Sequence, residues 1–125
     1  MLKTGLKNSV DIIVTDDLSA KNMGSGSLCV LATPALIAGM ENVCMNCVRP
    51  FLEDGFTTVG TKVNIDHLAA TPLGDTVTYS CELIEIDRRR LVFTVQAFDS
   101  KGKTGEGIHE RFIVDVNVLC PSLSK

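Results

Sequence analysis

The stretch that most constrains the fold is Thr33 to Phe51, TPALIAGMENVCMNCVRPF. It reads as one long helix. Thr33 is a favoured N-cap, and Pro34 suits the first helical position, where its missing N–H costs nothing and its fixed φ matches the turn. Ile37, Met40, Cys44, Cys47, Val48 and Phe51 then recur at the three- and four-residue steps of an apolar stripe. Glu41 falls inside that stripe, four residues after Ile37 and three before Cys44. An unpaired charge on the packed side of a helix is expensive. Two readings follow. Either the carboxylate has a chemical task, or it sits at the edge of the stripe with a local partner.

A chain of 125 residues with 45% apolar composition is expected to form one domain, residues 1–125, with a real core. No run is long and apolar enough to span a bilayer, and MLKTGLKNSV lacks the apolar centre of a signal peptide. A cytoplasmic protein without membrane association is expected. The five cysteines are odd in number and mostly lie within apolar runs, which fits reduced thiols. Cys44-x-x-Cys47 has zinc half-site spacing, but it is mid-helix on the stripe and no second ligand pair follows. No metal or cofactor is expected. With a net charge of −3, one tyrosine and no tryptophan, the chain lacks the basic footprint and stacking platform of a nucleic-acid binder.

Val10, Ile12 and Val14 alternate as a first strand that ends at Thr15-Asp16-Asp17, acids suited to cap a short helical turn. Gly24-Ser25-Gly26-Ser27 then reads as a loop, either a lid or a connector. Beyond the helix, Thr57 to Ile65, Val77 to Ile86, Leu91 to Ala97 and Ile108 to Val116 alternate as strands. They are separated by turns at AATPLGD, Asp87 to Arg90 and DSKGK. This order predicts an α+β architecture, in which a four-strand antiparallel meander and the first strand wrap the helix. His67 ends the second strand. In the last one His109 and Arg111 share a face, which either lines a pocket edge or meets water. The tip Arg88-Arg89-Arg90 either meets phosphate or is simply solvated. GKTGEG lacks Walker spacing and enters a strand, so it is discounted as a phosphate loop.

Four segments in this order, ATPALIAGMEN, VGTKVNIDHLAATPLGD, DRRRLVF and GEGIHERFIV, resemble the hot-dog thioesterases, in the branch of the fluoroacetyl-CoA thioesterases. The resemblance spans nearly the whole chain. It implies a hot-dog fold and an acyl-CoA substrate, and because a small sheet with one helix leaves edge strands exposed, a homodimer is expected. It also implies a catalytic set of Thr33, Glu41 and His67, with Gly60 and Arg111 contacting substrate.

The chemistry agrees with this set. Thioester hydrolysis needs a nucleophile or activated water, a proton carrier and an oxyanion stabiliser, and a helix N-terminus supplies the last. From the residues alone, Thr33 remains explicable as a cap and His67 as a satisfied strand-end histidine. Asp66 faces away from His67 on an ideal strand, which leaves Glu41 as the candidate carboxylate partner. A non-catalytic acyl-CoA binder and a hydratase of the same fold stand as alternatives, since fold does not fix function.

Overall fold

The computed structural model describes residues 1–121. Its elements are β1 (Lys7–Ile13), α1 (Ala20–Met23), α2 (Thr33–Val48), β2 (Phe56–His67), β3 (Thr76–Asp87), β4 (Arg90–Asp99), β5 (Gly102–Asp115) and α3 (Val116–Leu119). The expected long helix is shorter than read. Pro50 has no N–H for the helical ladder and its ring clashes with the preceding turn, so Arg49–Phe51 tighten into a 3-10 turn.

The five strands form one antiparallel sheet in the order β1-β3-β4-β5-β2. The expected meander of four consecutive strands holds only for β3, β4 and β5. Residues 68–75 are too many for a tight hairpin. They cross the end of the sheet, held by Val30 bridging Pro72 and by the Leu31 N–H donating to the Thr71 carbonyl at 2.8 Å. β2 therefore lands on the far side of β5 and forms one edge of the sheet, while β1 forms the other.

α2 lies across one face of this sheet. Its buried residues are Ala35, Leu36, Gly39, Met40, Val43, Cys44, Cys47 and Val48. They pack against Val77, Tyr79, Cys81 and Leu83 of β3 and Leu91, Phe93, Val95 and Ala97 of β4, all buried. The buried stripe is rotated from the expected one. Ile37 is half-buried, Phe51 is 39% exposed, and Glu41 lies half-buried at the stripe's edge. Cys44 and Cys47 are buried free thiols in this packing, as their apolar setting indicates.

Glycine sets how closely the helix approaches. A Cβ on Gly39 would stand 2.3 Å from the Tyr79 ring, and one on Gly105 would stand 3.0 Å from the Leu36 side chain. These residues let backbone take the place of side chain. Gly105 and Gly107 of GKTGEG thus serve packing within β5, while Gly102 supplies the positive φ of the β4–β5 turn.

Gly39→Ala is predicted to destabilise the fold. Relief of glycine's helix penalty offers about 1 kcal/mol, but overpacking against a ring held under the helix costs about 1–3 kcal/mol. Thermal unfolding followed by circular dichroism should show a lower midpoint. An unchanged or raised midpoint would mean that the Tyr79 ring moves aside freely.

Candidate active site

Thr33 is the first residue of α2, and Ala32 takes the N-cap position without a side-chain cap. This corrects the capping expectation and leaves the threonine hydroxyl free for other work. Its Oγ1 lies 2.7 Å from His67 Nδ1, joining the helix start to the end of β2. Burial lowers the His67 pKa from its ordinary 6.5, opposed by the nearby Ala69 backbone. A neutral ring at pH 7 follows. In the tautomer protonated at Nε2, the ring accepts the threonine hydrogen at Nδ1. Among the described residues, His67 Nε2 is one of two buried side-chain polar atoms with no hydrogen-bond partner, the other being Thr104 Oγ1.

A cleft of about 330 Å³ opens beside this pair, bordered by Ala20, Ser25, Leu68, Ala69 and Ala70. Apart from the His67 imidazole, none of its lining side chains is aromatic. Ser25 belongs to the loop read as lid or connector, and the loop is tethered. Its Ser25 and Gly26 N–H groups both donate to the Ala20 carbonyl, at 2.9 and 3.2 Å. Through Ser25 it borders the cleft.

A β-bulge places the second half of the site. The β2–β5 register shifts between Gly60 and Lys62, and an extra residue on one strand changes which side chains face the core. Before the shift, Thr58 and Gly60 oppose Ile113 and Arg111; after it, Val63, Ile65 and His67 oppose His109, Gly107 and Gly105. Directly opposed residues share a face. Gly60 and His67 therefore both face α2, although their spacing is odd.

On that face Glu41, Gly60, His109 and Arg111 converge. A Cβ on Gly60 would stand 2.8 Å from Glu41 Oε2, 3.2 Å from His109 Cε1 and 3.4 Å from an Arg111 terminal nitrogen. Arg111 is 6% exposed. Its Nε–H donates to Thr58 Oγ1 at 2.8 Å and a second terminal nitrogen donates to the Thr58 carbonyl at 2.9 Å. Burial lowers the Arg111 pKa, and the nearby Glu41 carboxylate opposes that. The expected Glu41–His67 partnership is not found within the chain. Glu41 follows Thr33 by eight residues, about 12 Å along a helix axis, and it faces Gly60 and Arg111 while His67 bonds to Thr33.

Two residues here escaped the sequence reading as site residues, Thr58 and, in any definite role, His109. The apolar alternation of β5 runs through Ile108, Phe112 and Val114, whereas His109 and Arg111 are the buried face. The usable signal was two long polar residues sharing the inward parity. Arg88-Arg89-Arg90 is largely spoken for. Arg90 pairs with Glu85 at 2.8 Å and Glu110 at 2.9 Å, Arg89 lies over the Phe56 ring, and the exposed Arg88 pairs with Asp87. Among the described residues, no group of three or more His, Cys, Asp or Glu is placed to hold a metal, and no helix is long and apolar enough to cross a membrane.

Comparison with known proteins agrees with this geometry. The profile of the fluoroacetyl-CoA-specific thioesterase family matches residues 14–117. The fluoroacetyl-CoA thioesterase of Streptantibioticus cattleyicolor is 40% identical over 85 residues, which cover 68% of this chain and 61% of that protein's length. The solved fluoroacetyl-CoA thioesterase FlK superposes with a TM-score of 0.90 at 29% identity, covering 99% of this chain and 96% of the other. A Thermus thermophilus protein of the thioesterase superfamily superposes at 0.87 with 25% identity, covering 99% and 94%. A hot-dog-like protein of Thermanaerovibrio acidaminovorans shares the fold at 0.87 with 23% identity, covering 98% and 91%.

Both histidines have pKa values lowered from 6.5, with burial the largest cause. Above the ordinary value both folded and unfolded rings are neutral. As pH falls, the unfolded chain takes protons first, so stability must decline through the depressed folded values. The urea midpoint is predicted to drop between about pH 7 and pH 5, and both ring titrations followed by NMR should have midpoints below 6.5. A midpoint above that value for either ring would remove its assignment as buried and neutral.

Proposed function

Because the chain belongs to the fluoroacetyl-CoA-specific thioesterase family, we propose that it hydrolyses a short-chain acyl-CoA to the free acid and CoA. The observation that carries this reading is the hydrogen bond between Thr33 Oγ1 and His67 Nδ1, placed at the N-terminus of α2 and opening on a cleft. The neutral His67 ring accepts a hydrogen bond from the Thr33 hydroxyl, and the positive end of the helix dipole favours the oxyanion that forms when Glu41, or a water giving its proton to Glu41, attacks the thioester carbonyl; collapse of that oxyanion breaks the C–S bond and releases the CoA thiolate. Glu41 supplies the carboxylate, as nucleophile or as the base for water, in front of the Arg111 guanidinium. Gly60 lets Glu41 and Arg111 approach the strand backbone at a spot where even a Cβ would stand 2.8 Å from Glu41 Oε2.

Two copies make these halves one site. Within one protomer Thr33 and Glu41 are about 12 Å apart along the helix, too far to act on one carbonyl carbon. β2 is an edge strand of twelve residues, and an uncovered edge of that length favours pairing with a second copy. A two-fold homodimer closed along β2 sets the two α2 helices side by side. Thr33 and His67 of one protomer then face Glu41 of its partner. The five free cysteines suit a reducing cytoplasm. Apart from His67, the cleft is lined by Ala, Ser, Thr, Val and Leu side chains, which suits short acyl chains.

Purified protein is expected to release free thiol from acetyl- and propionyl-CoA and to prefer them to palmitoyl-CoA. Binding without thiol release would identify a carrier or sensor instead, and hydration of an enoyl-CoA without hydrolysis would identify a hydratase. Glu41→Gln should lower turnover by a factor on the order of a hundred or more with an unchanged circular dichroism spectrum, while Thr33→Ser keeps much of the rate. Light scattering should give a dimer at micromolar concentration. A monomer that still hydrolyses thioesters would refute the two-copy site.

A further inference from the structure

His109 is buried to 1% exposure on the face that meets α2, one pair away from Arg111 on the same strand. Its Nδ1 lies 2.8 Å from the Lys62 carbonyl, at the residue where the β2 bulge resolves. A carbonyl only accepts, so Nδ1 carries the ring proton. The lone pair of Nε2 is thereby left free, and an Arg111 terminal nitrogen lies 3.1 Å from it. Both contacts close only when the ring is neutral and in this one tautomer.

We propose that His109 is a positioning residue for the reaction: locked by the Lys62 carbonyl into its Nδ1–H form, it holds the Arg111 guanidinium at the gap beside Gly60, facing Glu41. Thr58 holds the other side of the guanidinium through its hydroxyl and carbonyl. Of the five guanidinium N–H donors, three go to Thr58 and His109. Among the described residues, the remaining two meet no hydrogen-bond acceptor. The bulge therefore does two jobs with one extra residue, bringing His67 to the working face and setting the carbonyl that fixes His109.

The group is sensitive to pH from every side. On β5 it faces Arg111, whose charge opposes protonation, and Glu110, which favours it. From α2 Glu41 favours protonation, and Cys44 faces Arg111 behind it. β2 contributes the Lys62 carbonyl, and β4 places the uncharged Phe93 opposite. A protonated His109 loses its acceptor and sets a second cation against the guanidinium, so Arg111 swings from its place as pH falls.

The catalytic part of this proposal rests on the thioesterase reading; the tautomer part does not, and the experiment separates them. Long-range 1H–15N NMR on the wild-type protein at pH 7 should show His109 neutral with its proton on Nδ1, and His109 should remain neutral after His67 is substituted. A proton on Nε2, or a charged ring, overturns the proposal whatever the enzyme hydrolyses. For acetyl-CoA hydrolysis, His109→Leu should lower kcat/KM by about tenfold or more, the scale of one hydrogen bond to a charged group. His109→Gln, whose amide oxygen can accept from Arg111, should recover most of that loss. It should also make the acid limb of the rate profile less steep by one proton. Equal losses in the two variants, or an acid limb unchanged in His109→Gln, would reduce His109 to a packing residue.

Discussion

The structure depends on the close seating of α2 against the sheet. Gly39 over the Tyr79 ring and Gly105 beneath Leu36 and Met40 bring backbone where side chains would otherwise stand. The buried aliphatic residues of α2 then fill the curve made by β3 and β4. Tyr79, enclosed by this packing, has its phenol pKa raised to about 12 by burial. Close packing of this kind deforms little, so the helix holds Thr33 and Glu41 at fixed heights above the sheet. The positions of Thr33 and Glu41 depend on that seating.

The second constraint is the bulge in β2. A strand without it would keep strict alternation, and Gly60 and His67 would face opposite sides of the sheet. The extra residue between Gly60 and Lys62 lets one edge strand present an open backbone position to Glu41 and an imidazole to Thr33. Bulges of this kind re-aim side chains at active sites. Here the cost of interrupting the ladder is offset locally, since the Lys62 carbonyl accepts from His109 and the Thr61 hydroxyl donates to the Glu110 carbonyl at 3.2 Å.

Burying the Arg111 cation is the price of this site. Taking a guanidinium out of water is unfavourable unless its donors are met. The structure meets them mainly with neutral acceptors from Thr58 and His109. A direct ion pair with Glu41 would spend the charge of both groups on each other. Neutral acceptors leave the guanidinium electropositive toward Gly60 and the Glu41 carboxylate unclaimed, an arrangement suited to charge that develops only during reaction.

Local chemistry in the sequence determined much of this protein. The resemblance of four ordered segments to a known family implied the hot-dog fold and Thr33, Glu41, His67, Gly60 and Arg111 as site residues, while Thr-Pro started α2 and the period-two apolar runs set the strands. Those features depend on neighbours a few residues apart, and so they survive in one dimension. Tertiary structure alone decided the rest. Whether the Thr33 hydroxyl caps its own helix or meets His67 depends on where β2 ends relative to α2. Which β5 parity is buried depends on the pairing with β2 and β4, and it went to His109 and Arg111 against the apolar pattern. The place of β2 beside β5 depends on a connection crossing the end of the sheet, and the stripe of α2 rotated until Gly39 met Tyr79. Each of these is a contact between residues distant in the chain, and its energy exists only once both surfaces are in place.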